Sequence, residues 1–236
     1  MLNDLLQKGN SDMKRISLFL CVLMLFACGR SSEGQGDKST QKGSEGSSQN
    51  SVTGQAVAGI TCWGVGEIEF GDDMGSVTEK AGKDNVSIDS LFQEGDFARM
   101  ITVLWKGKDK QLDIAWEEEK PPFTKIKYIT ISNPKSPYAF DNGIKIGTSL
   151  NEIVKLNNGD IKLYGFGWDY GGSFISFGNG RLAGDLPCFG GVFQLEENTE
   201  SEGAPELFGD REISSSNPEF KNHKVILTEI IVSSSD

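Results

Sequence analysis

Residues 165–174, GFGWDYGGSF, gather four glycines and several aromatic rings around one carboxylate, Asp169. Such a run suits a phosphate cradle, a ligand-binding loop or a tight hairpin. The cradle fails on spacing, because Gly165, Gly167 and Tyr170 do not complete G-x-G-x-x-G and no helical periodicity follows. Nucleophilic catalysis has little to work with. The chain has a single histidine, His223 in the polar loop NPEFKNHK, and no G-x-S-x-G elbow to accompany it. Asp72 and Asp73 lack EF-hand spacing, and their place at the start of a helix suits the helix dipole instead. Cys62, Cys188 and His223 are too scattered for zinc. The acid-rich stretches WEEEK (116–120) and QLEENTESE (194–202) read as solvated strand ends and loops. The chain is therefore expected to be non-enzymatic, with no metal and no cofactor.

The element that must position the aromatic run is a strand over 161–168, closing through the turn DYGG into SFISF. Period-two alternation puts Ile161, Leu163, Gly165 and Gly167 on one face and Lys162, Tyr164, Phe166 and Trp168 on the other. Glycines beside Ile and Leu suit a face on which a helix packs closely. Two readings of the aromatic face stand. Tyr164, Phe166 and Trp168, with Asp169 and Tyr170 at the turn, form a binding face, since Trp and Tyr dominate hot spots; or the rings fill the core.

The N-terminal part carries Lys14 and Arg15, an apolar run over 16–26 and the tetrapeptide LFAC. Basic, apolar and small residues in that order form a signal peptide over 1–27, with Met13 as the expected start. The run is too short to span a bilayer, which takes roughly 20 residues. LFAC resembles the lipobox of bacterial lipoproteins, which implies that Cys28 is cleaved free and acylated. Residues 28–59 are rich in Gly, Ser and Gln and read as a flexible tether. Gly29 after the acylated cysteine fits sorting to the outer membrane. The expected location is the bacterial cell envelope, held to the membrane by lipid.

The formal net charge is −11 for the whole chain and −12 once residues 1–27 are removed. An acidic surface disfavours nucleic acid, which needs clustered Lys and Arg. With Cys21 in the signal and Cys28 acylated, Cys62 and Cys188 remain, either as a disulfide or as two buried thiols.

GEIEFGDDMGSVTEKAG (66–82) and NGIKIGTSLNEIVKLNN (142–158) align at a constant offset of 76 residues. Ile68, Phe70, Gly71, Met74 and Val77 then fall on Ile144, Ile146, Gly147, Leu150 and Ile153. In each copy a short strand leads through a Gly turn to an amphipathic helix, with Thr148 or Ser149 capping the second. KIKYITIS (125–132) and LTEIIVS (227–233) close the copies as alternating β-branched strands. RMITVLW and QLDIAW form a hairpin between helix and closing strand in the first copy, and SNPKSPY (132–138) connects the copies. The fold class is α+β: repeat unit 1 over 60–133 and repeat unit 2 over 141–236, each a short helix on an antiparallel three- or four-stranded sheet. Unit 2 carries a long insertion, about 183–222.

On these ten matched residues the chain resembles tandem-repeat β-lactamase-inhibitor-protein-like modules and the related small outer-membrane-assembly lipoprotein (SmpA/OmlA) domain. Those inhibitors keep a disulfide inside each repeat, whereas this chain has one cysteine per copy, so no inhibitory residues carry over. The expected function is a lipid-anchored envelope module that binds a protein. The alternative is a surface carbohydrate or small-ligand binder, and a carboxylate-based hydrolase ranks third.

Overall fold

The computed structural model describes residues 58–93, 95–195 and 203–234. The leader with Met13, Cys28 and most of the 28–59 tether lie outside the described residues, as do residues 196–202 of the insertion. The chain first forms three short strands, β1 (Ala58–Thr61), β2 (Gly64–Val65) and β3 (Ile68–Glu69), and helix α1 (Met74–Ala81). Four longer strands come next: β4 (Val86–Gln93), β5 (Asp96–Leu104), β6 (Leu112–Trp116) and β7 (Ile126–Ile131). The second half holds β8 (Tyr138–Phe140), α2 (Leu150–Asn157), β9 (Lys162–Tyr164), β10 (Phe174–Ser176) and the one-turn α3 (Leu182–Asp185). It ends with β11 (Phe189–Leu195), β12 (Glu212–Ser214) and β13 (Val225–Ser233). The class is α+β, with helices the minor part.

Both main helices are eight residues long and start 76 residues apart. Local chemistry fixes each start. Asp73 accepts the Ser76 N–H at 2.8 Å, and Ser149 forms a capping box with Glu152. Asp72 instead takes the Lys80 ammonium at 2.8 Å. Val77 and Ala81 of α1, and Leu150 and Ile153 of α2, turn into the core.

Six strands form one antiparallel sheet in the order β11-β13-β7-β6-β5-β4. The sequence predicts a separate sheet for each unit; instead β7 and β13 lie side by side, Ile131 opposite Ile230, and the strands of both halves share a sheet. The described strands on either side of the 132–138 connector belong to one compact unit. The physical reason is that Ile129, Ile131, Ile230 and Val232 are all fully buried on one face. Pairing these two strands leaves neither of them as an edge.

That face, continued by Leu112, Ile114 and Trp116, meets the helices and the small sheet β3-β2-β1-β8 in a single core. Trp116 stacks on Phe123 and donates its Nε1–H to Thr102 Oγ1 at 2.8 Å, so its one polar atom is satisfied in the core. A third sheet, β10-β9-β12, flanks the β11 end. Cys62 and Cys188 form a disulfide, with Cα atoms 5.3 Å apart, that ties the β1–β2 turn to the residue before β11.

Candidate binding surface

The expected aromatic strand follows its alternation only as far as Tyr164. Ile161 and Leu163 are buried and Lys162 is exposed, as period two requires. Beyond that point the chain takes up the backbone of 207–209 from the insertion. Phe166 N–H donates to Leu207 O at 2.7 Å, and Gly209 N–H to Phe166 O at 2.9 Å. A Cβ on Gly165 would stand 2.5 Å from Gly209 O, so only glycine permits this approach. Gly167 then turns the chain at φ +85°.

The consequence is a correction. Phe166 is buried, packed edge-on against Phe208 with ring centroids 6.4 Å apart, and does not belong to any binding face. The glycines serve an irregular segment, not a packed helix. Tyr164, Trp168 and Tyr170 remain together at the surface as an edge-to-face chain of rings, with centroids 5.6 and 5.2 Å apart. Trp168 Nε1–H donates to Gly165 O at 2.7 Å, which pins its ring. Asp169 is exposed at the adjoining turn.

A second surface lies on the face of the six-stranded sheet opposite the core. Here Asp113 stands opposite Thr130, Ala115 opposite Tyr128, Thr130 opposite Ile231 and Glu229 opposite Val192. Most of these side chains are half-buried. Arg99 donates to Trp116 O at 2.9 Å and holds its guanidinium 5.9 Å from the centre of the Tyr128 ring. Lys106 pairs with Asp89 at 2.6 Å, and Gln111 donates to Asp113 at 2.9 Å.

The electrostatics arise from this crowding. Burial pushes the Asp113 carboxyl above its ordinary range against the hydrogen bond from Gln111, and the Asp89 charge adds to the rise. Burial likewise raises Glu229, helped by the Asp113 charge. The Tyr128 hydroxyl is raised by burial and partly restored by Arg99. Asp89 is held below its usual range by the hydrogen bond from Lys106.

None of these residues forms a motif in the sequence. Asp113 and Thr130 alternate with the core residues Leu112, Ile114, Ile129 and Ile131, but Tyr128 and Glu229 follow the extra residues Lys127 and Thr228 at shifts of register, so alternation does not mark them.

The β4–β5 hairpin extends this sheet. Phe92 and Phe97 near its tip are 62% and 57% exposed, and their rings meet edge to face with centroids 6.2 Å apart. A groove of about 440 Å³ runs beside the hairpin between Ile88, Met100, Pro122 and Phe123. A second groove, about 530 Å³, lies along α2 near Lys145, Thr148 and Glu152. His223 is partly buried, 3.9 Å from Glu219. Among the described residues no group of three or more His, Cys, Asp or Glu is placed to hold a metal ion, and no helix is long and apolar enough to cross a membrane. No family model, curated protein or solved structure matches this chain.

Proposed function

We propose that this chain is a lipid-anchored, non-enzymatic module of the bacterial envelope, seated at the outer membrane, that binds another protein through the uncovered face of its six-stranded sheet. The observation that carries the reading is that face itself, where Arg99, Asp113, Tyr128 and Glu229 stand half-buried on adjacent strands. The acylated Cys28 and the 28–59 tether supply the anchor. A disulfide between Cys62 and Cys188 supports an oxidising compartment.

Two halves of common origin, resembling the β-lactamase-inhibitor-protein-like and SmpA/OmlA plan, also form part of the proposal. Helices of equal length at an offset of 76 residues, and adjacent closing strands, support it. The second reading, a surface carbohydrate or small-ligand binder, is favoured by Trp168 and Tyr170 meeting edge to face beside Asp169.

The test is affinity capture from native envelopes with the intact lipidated chain. A captured protein is expected, and the double variant Arg99→Ala, Tyr128→Ala should retain it at least roughly tenfold less well. Capture of no protein, together with glycan retention that Trp168→Ala abolishes, would move the function to the second surface.

A further inference from the structure

We propose that two copies of this chain pair edge to edge through β4, antiparallel, with Ser90 on the two-fold axis. β4 hydrogen-bonds to β5 on one side and to no other described strand on its outer side. The corresponding strand of the second half, β9, is paired on both sides, by β10 and by β12. β4 carries no proline, lysine or bulge, and its one charged side chain, Asp89, is paired with Lys106. Its register with β5 shifts at Leu91/Phe92, where Ala98 is the extra residue, so the irregularity lies in β5 and β4 stays regular. Exposure alternates cleanly along it: Ile88, Ser90 and Phe92 are exposed, and Ser87, Asp89 and Leu91 are half-buried.

The sequence of β4 is self-complementary in one register. With Ser90 opposite Ser90, Ile88 of each copy faces Phe92 of the other, two apolar cross-strand pairs related by symmetry. Those pairs lie on the face where the groove of Ile88, Met100, Pro122 and Phe123 opens, and that groove is a seat for the incoming Phe92 ring. Asp89 faces Leu91 of the second copy, and its charge is already met by Lys106 in its own chain. Moving the register by one residue to set Asp89 opposite Asp89 would juxtapose like charges and lose both Ile–Phe pairs.

The test uses the full chain in detergent micelles, with cysteine placed at one position at a time. Ser90→Cys should oxidise to an intermolecular disulfide mapped between the two substituted positions. Ser87→Cys should form at least tenfold less, because residue 87 pairs with residue 93 and lies about 20 Å from its own mate at ~3.4 Å per residue. Sedimentation should give a two-copy mass, and Ser90→Lys, which places two ammonium groups on the axis, should weaken the dimer roughly tenfold or more. Ser90 is exposed, so at concentrations too low for pairing Ser90→Lys should leave thermal unfolding unchanged. A single-copy mass at ~100 µM, a concentration at which an interface of micromolar affinity would be filled, overturns the proposal. So does equal cross-linking at 87 and 90, or a dimer that Ser90→Lys leaves intact.

Discussion

The two ends of the six-stranded sheet meet their surroundings in opposite ways. At the β11 end, Gly172 and Ser173 continue the hydrogen bonding, the insertion supplies β12 to β9, and residues 207–209 close over Gly165. At the β4 end, the hairpin projects with Phe92 and Phe97 largely in water. Equal helices and adjacent closing strands lead to both ends, so the difference comes from the segment C-terminal to each helix. The insertion seals one end, and at the other end β4 has no described strand on its outer side.

The largest test of this contrast is at the helix ends. Asn157 closes α2, fully buried, and donates to Gly159 O at 3.0 Å and Phe177 O at 2.9 Å while accepting from Leu182 N–H at 3.1 Å. The matching position of α1 is Ala81, which makes no such bonds through its side chain. Asn157→Ala removes three hydrogen bonds to backbone, two of them buried, and takes the acceptor from the Leu182 N–H. It should cost roughly 3 kcal/mol in urea unfolding and speed hydrogen exchange in 177–182. Ala81→Gly should cost about 1 kcal/mol. Equal costs would mean that the sealed end owes nothing special to its polar plug.

A smaller effect distinguishes the open face. Because burial raises the Asp113 carboxyl above its unfolded value, the folded state binds the proton more tightly. The resulting stability is complete below the ordinary carboxylate range and is lost as pH rises through the raised value. Asp113→Asn escapes that loss. It should be more stable than the parent at pH 7 by roughly 0.5 kcal/mol, a figure kept small by solvent screening, and the advantage should vanish near pH 3. A pH series of urea midpoints measures this, and an advantage that persists at pH 3 would assign the gain to packing.

Much of this frame is legible in the sequence. Strands β7 and β13, the β5–β6 hairpin and both helix starts come from alternation, turn residues and the alignment of Ile68, Gly71 and Met74 with Ile144, Gly147 and Leu150. The pairing of β7 with β13 is not legible, because cross-strand register between distant segments is set by which faces need cover. β4 is hard to see because VSIDSLFQ is half polar, as an edge strand in water tends to be. Phe166 departs from its expected face because alternation holds only while the strand is continuous, and Gly165 and Gly167 let the chain leave it. The surface of Arg99, Asp113, Tyr128 and Glu229 exists only once separate strands bring these scattered residues together.

The central claim is that partner recognition belongs to the open sheet face and not to the aromatic turn at 168–170. The most direct measurement places a photo-cross-linking phenylalanine at Tyr128 or at Trp168 of the intact, lipidated chain and irradiates it in the native envelope. The account predicts protein adducts from position 128 and a yield at least roughly tenfold lower from position 168. Adducts from position 168 alone, or from neither position, would contradict it.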